Sequence, residues 1–329
     1  MRYRIDHHWR MRYAAPVREH HIQVRLAPWS DDSQTLIRLE LHVNPEAPAV
    51  ARRDGFGNLS HHFAVLGAHQ ALGFELCAEV ETRLSNPFDF SPVEPARERS
   101  WLDHSLHEAP RLWDFVLHQG PLTAALPEEL PGGPVPDWQP GIPLLTQIQD
   151  AFAWIKAVAE YDPEAQDSVS ALPALFDAGR GTAADLSHLL IALLRRWSVP
   201  ARFVSGYQDA AYFEPDEEAP EGAEPRPQRL HNWTEALIPG AGWRGFDPAL
   251  ALLADETYIR VAVGRDAGDV GPLRQTSKGS GDAPIVEERL SVTRLPDEGI
   301  LASTEINGIG HGQGAEADSR VRGPTEDQT

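Results

Sequence analysis

The chemistry available to this chain is concentrated in two short stretches. His231 and Asp247 stand sixteen residues apart in "HNWTEALIPGAGWRGFD", two strand-like runs joined by a glycine- and proline-containing turn. A carboxylate beside an imidazole fixes its tautomer and orientation, and the imidazole can then take a proton from a nucleophile within hydrogen-bond reach. The second stretch is a helix start, "GRGTAADLSHLL", from Gly179 to Leu190. The unpaired N–H groups and positive dipole end of such a start lower the pKa of a thiol placed there and stabilise the oxyanion of an acyl intermediate. A site with all of these parts hydrolyses amides or transfers acyl groups to amines.

"TAAD" has the form of a capping box, with the Thr182 hydroxyl and the Asp185 carboxylate satisfying N–H groups at the helix start. Thr182, Asp185 and Trp233 are the residues expected to build the binding cleft, and Trp233, Trp243 and Phe246 are read as core and cleft wall. His188 is read as a hydrogen-bonded packing residue on a helix face.

The elements that must position these groups follow from hydrophobic periodicity. From residue 1 to about 85 the chain alternates apolar and polar residues, as in "TLIRLELHV" and "FELCAEVETRL", which predicts an antiparallel, sandwich-like β domain. Residues 86–143 form a proline-rich connector with one or two short helices. Residues 144–295 form a core. A helix begins at Leu144, with Ile148, Phe152, Ile155 and Ala159 on one face. A second helix puts Leu186, Leu189, Leu190, Leu193, Leu194 and Trp197 on one stripe, and strands follow. An acidic, proline-rich loop, "FEPDEEAPEGAEPRPQR", separates the first two of these strands. Residues 296–329, rich in Gly, Asp, Glu and Ser, predict a disordered tail.

In order and spacing these motifs resemble the transglutaminase-like superfamily, in its bacterial branch with an N-terminal β domain. The likeness covers about residues 1–290. It is carried by "GTAADLSHL", where the branch usually reads "GVCQDFAHL", by the hairpin with His231 and Asp247, and by "ARFVSGY", "YIRVAVGRDAGDV", "YAAPVREHH" and "DGFGN". The resemblance implies an α+β fold, an N-terminal β domain followed by a papain-like core with its helix packed on an antiparallel sheet. It also implies a Cys-His-Asp site. The family's cysteine maps to Ala183, whose methyl can neither ionise nor attack, and the following glutamine maps to Ala184. Leu186 and Ser187 also differ from the usual phenylalanine and alanine, a pattern of natural divergence.

No other residue is an obvious nucleophile. Cys77, the one cysteine, lies in a strand of the other domain. Ser187 shares a face with Ala183 but sits one turn inside the helix, away from its dipole end. Three histidine pairs, His7–His8, His20–His21 and His61–His62, invite a metal reading, but neighbours on a strand point to opposite faces, so no metal and no cofactor is expected.

A formal charge of −20 disfavours nucleic acid and anionic membrane surfaces. No apolar window is long enough to span a bilayer, the opening "MRYRIDHHWR" has no secretory core, and a single cysteine suits a reducing compartment, so a cytoplasmic location is expected. The expected function is that of a pseudoenzyme binding a peptide or protein partner through the former acyl-transfer cleft. The alternatives are a peptidase or amidohydrolase with a substitute nucleophile or a water activated by His231, and a structural partner that uses the β domain as its interaction surface.

Overall fold

The computed structural model describes residues 1–165, 170–215, 222, 224–279 and 283–296. The expected tail beyond Pro296 lies outside the described residues, as does the centre of the acidic loop.

The N-terminal alternation becomes one long strand, β1 (Arg2–Val24), around which a curled antiparallel sheet is organised. Its inward residues are Tyr3, Ile5, His7, Met11, Tyr13 and Val17, and after Glu19, at φ +47°, the phase flips to His20, Ile22 and Val24. A strand that slips by one residue exchanges its faces, so the irregularity lets the two halves of β1 bury opposite faces within the one curled sheet. Its first half pairs with β5 (His69–Thr82), which also carries β2 (Gln34–Asn44). Its second half pairs with β4 (Leu59–Val65), which carries β3 (Val50–Arg53). Each histidine pair on β1 splits between faces, with His20 fully buried and His21 exposed.

The connector contributes α1 (Glu98–Glu108), and the core opens with α2 (Leu144–Val158) and α3 (Leu172–Ala178). These cover α4 (Ala183–Arg196), whose other side lies on an antiparallel sheet of β6 (Ala201–Gln208), β7 (His231–Ile238), β8 (Gly242–Asp247) and β9 (Tyr258–Gly264). The order across this sheet is β8-β7-β6-β9, with the short strand Leu252–Leu253 beyond β8. Burial on α4 extends beyond the expected stripe of leucines: every residue from Ala183 to Arg195 is buried. A helix held between a sheet and a helical layer has no solvent face, which is why Ser187, His188 and Ala192 are covered as fully as its leucines.

The expected core boundary of 144–295 is also corrected. Strands β10 (Leu273–Lys278) and β11 (Ile285–Leu295) return to β1, pairing respectively with its second and first halves. They complete the N-terminal sheet, and Met1–Leu295 forms one compact unit.

The two sheets are tied at the free edge of β9. Buried Asn58 donates to Val263 O and accepts from Val263 N–H, both at 2.7 Å. Gln34 does the same for Arg260, both at 2.8 Å. Two side-chain amides thus satisfy backbone groups that an unpaired edge would leave open. Asp54 fixes Asn58 from within "DGFGN", accepting its backbone and side-chain N–H groups at 3.0 Å each.

Candidate functional site

Thr182 caps α4, its hydroxyl accepting the Asp185 N–H at 3.2 Å while Asp185 Oδ2 accepts from Thr182 N–H at 2.9 Å. Asp185 also takes the Ser170 N–H at 2.6 Å, so its carboxylate is buried and fully committed to holding the turn. Among the described residues the N–H groups of Ala183 and Ala184, the first two of the helix, have no acceptor. Both residues line a cleft of about 440 Å³, together with Thr182, Phe203, His231 and Asn232.

His231 opens β7 and is only 7% exposed. Its Nε2–H donates to Asp247 Oδ2 at 2.7 Å, and the same oxygen receives the Tyr258 hydroxyl at 2.9 Å. Asp247 is fully buried, and its other oxygen accepts the N–H groups of Ala249 at 3.0 Å and Leu250 at 3.3 Å. With Nε2 committed, Nδ1 is the ring nitrogen left for the cleft, and it makes no hydrogen bond among the described residues. Burial, then the Asp247 charge, pushes the Tyr258 phenol far up, so it serves as a neutral donor. Burial likewise raises Tyr161, which lines the cleft.

The structure brings Thr182, Ala183 and His231 to one cleft and couples His231 to Asp247, but Asp185 and Trp233 do not line it. Of the two readings of Trp233, core and cleft wall, the structure shows the first: it lies 20° from parallel to the His231 ring, 6.5 Å between centroids, packs with Val204, Tyr258 and Val263, and does not line the cleft. Its neighbour Thr234 donates its hydroxyl to Ser187 O on α4, so alternation along β7 turns Trp233 away. The indole fits because Gly206 and Gly245 flank it; a Cβ on Gly206 would stand 2.5 Å from the ring. Asp185 lies behind the helix start, outside the cleft lining.

Ser187 is fully buried and donates to Ala183 O at 2.7 Å, the back-bond of a helix interior serine. Cys77 sits on β5 opposite Asp6 and Glu40, and burial pushes its thiol up, the reverse of an activated nucleophile. His188 stacks on Phe203 and accepts the Ala267 N–H at 3.1 Å. Among the described residues no group of three or more metal-type ligands converges, and no helix is long and apolar enough to cross a membrane.

Tyr258 and the two arginines at the cleft, Arg226 and Arg229, escaped the sequence reading. Tyr258 opens "YIRVAVG" at the end of a strand, where periodicity marks a core residue and says nothing of a hydroxyl partner eleven residues upstream.

Residues 3–81 match the bacterial transglutaminase-like N-terminal region, and residues 140–248 match the transglutaminase-like superfamily. Uncharacterized proteins of Mycobacterium leprae and Mycobacterium tuberculosis H37Rv are each 28% identical to this chain. The first match spans 87% of this chain and 99% of the relative, the second 91% and 94%. The solved structure of a candidate cysteine protease from Cytophaga hutchinsonii shares the fold at a TM-score of 0.55 and 16% identity, over 90% of this chain and 92% of that one. With its curled N-terminal sheet, its helix-on-sheet core similar to papain-like cysteine proteases and these two matches over more than half its length, the chain belongs to the transglutaminase-like superfamily.

Proposed function

We propose that this protein is a transglutaminase-like pseudoenzyme whose cleft binds a peptide or protein partner without turning it over. The observation that carries this reading is Ala183 at the first position of α4, in the same cleft as His231. Acyl transfer needs an atom that attacks a carbonyl and later leaves, and a methyl has no lone pair for either step. The neighbouring hydroxyls do not replace it: Thr182 is spent on the cap and Ser187 is buried in a helix back-bond. A cleft of about 440 Å³ is of the size that takes a small ligand or a few peptide residues.

The test compares the unmodified protein with Ala183→Cys on glutamine-bearing peptides and a primary amine. Hydrolysis or amine incorporation is expected in the cysteine variant alone. One observation favours a second reading, the unpaired Nδ1 of His231 in the cleft, which is placed to polarise a water. Turnover by the unmodified protein, lost in His231→Ala, would establish that reading and overturn the first.

A further inference from the structure

We propose that the outward face of the N-terminal sheet holds a site for a small phosphorylated molecule, with its phosphoryl group gripped by Arg10 and Arg289. This site goes beyond the reading of the α4 cleft and shares no residue with it.

Antiparallel register builds the site. Where β2, β5, β1 and β11 run side by side, Asn44, Gly73, Arg10 and Glu287 form one row across the sheet. His42, Glu75, His8 and Arg289 form the next, two residues along each strand and therefore on the same face. On β1 this is the face opposite the inward His7 and Met11. Gly73 has no side chain, so the first row is interrupted beside Arg10, and a hollow of about 640 Å³ opens over the strands there. That volume is of the size that takes a small organic ligand.

Charge decides the class of ligand. The neighbouring arginines on this face each hold a carboxylate: Arg2 with Glu79 at 3.6 Å, Arg4 with Asp6 at 2.8 Å, Arg38 with Glu40 at 2.6 Å, and Arg12 with Glu287. Glu75, the other carboxylate at the hollow, stands 3.4 Å from His8 Nδ1. Arg10 and Arg289 remain, and among the described residues neither side chain has an ion pair or a hydrogen bond. The chain carries 49 acidic residues against 29 basic ones, yet none is placed on these two. They are diagonal neighbours on adjacent strands, a separation that long side chains span.

Two uncompensated positive charges match a phosphate monoester, which carries about −1.5 to −2 near neutral pH. Guanidinium forks take its oxygens in pairs, whereas a carboxylate has one charge and occupies one fork. Asn44 adds an amide on the far side of Gly73. The overall charge of −20 repels an extended polyanion, which favours a small phosphate held at one point.

The experiment is titration calorimetry on the full chain at low ionic strength, with adenosine 5′-monophosphate and glycerol 3-phosphate as probes. Adenosine, glycerol and inorganic phosphate are the controls. At least one ester is expected to bind with a dissociation constant below about 1 mM, with the two neutral controls silent and inorganic phosphate at least about five-fold weaker. Arg10→Gln and Arg289→Gln should each weaken that ester at least about ten-fold, and the double change should abolish its binding. Both side chains are exposed, so the unfolding midpoint should stay where it is. Arg38→Gln, on the same face but held by Glu40, should bind as the unmodified protein does. Silence of both esters up to about 5 mM overturns the site. Inorganic phosphate as tight as the better ester overturns it too, because the hollow then does no more than attract an ion. An equal loss in Arg38→Gln also overturns it, because the field of the whole face is then responsible. None of these outcomes bears on the Ala183→Cys assay, so either reading can fail alone.

Discussion

Tyr258 donates its hydroxyl hydrogen to the very Asp247 oxygen that receives the His231 ring N–H, at 2.9 Å and 2.7 Å. The phenol is a positioning residue, since it reaches the cleft only through the carboxylate. Tyr258→Phe is expected to lower stability by about 1.5–3 kcal/mol, the range for a hydrogen bond to a charged group. In an Ala183→Cys background it should reduce turnover without altering KM, read by steady-state kinetics beside a urea melt.

His188 gives the fold an acid limit. Burial, the dominant cause, pushes its imidazole down to about 3 from an ordinary 6.5. Between these values the unfolded chain binds a proton that the folded chain does not, so stability is lost as pH falls through that window. The slope approaches about 1.4 kcal/mol per pH unit. Urea melts from pH 7 to 4 should show it, and His188→Phe, which preserves the ring against Phe203, should flatten it. That variant also forfeits about 1–2 kcal/mol at pH 7, because the Ala267 N–H loses its acceptor.

Asn58 is the joint between the sheets, bonded to both backbone groups of Val263. Asn58→Ala leaves these groups buried and unpaired at the edge of β9, for an expected loss of about 2–4 kcal/mol. Asn58→Asp should fall in the same range, because a carboxylate accepts from Val263 N–H but cannot donate to its carbonyl. Equilibrium unfolding of the two variants checks this, and a loss confined to Ala would contradict it.

Gly206 makes room for Trp233 behind His231. A methyl there would stand 2.2 Å from Ile259 O and 2.5 Å from the indole, and the backbone contact has no way to yield. Gly206→Ala is expected to cost about 3 kcal/mol or more, while the double change with Trp233→Phe recovers little, because the carbonyl clash remains. Thermal melts of the single and double variants decide it.

By itself the sequence determined the local geometry and the chemistry at stake. Alternation marked the N-terminal strands, since a half-buried strand repeats every two residues. The spaced leucines marked α4, and "TAAD" marked its cap. The order of motifs marked the superfamily, and with it the alanine at position 183. Tertiary structure alone decided which long-range partners these elements take. Periodicity reports that a face is buried but never against what, so it missed the return of β10 and β11 to β1 and the covering of α4 on every side. It could not say which side of β7 faces the helix, and so left Trp233 between core and cleft wall. Nor could it find Tyr258, because a hydroxyl joins a carboxylate only once two strands that are not neighbours in the sheet bring them within 3 Å.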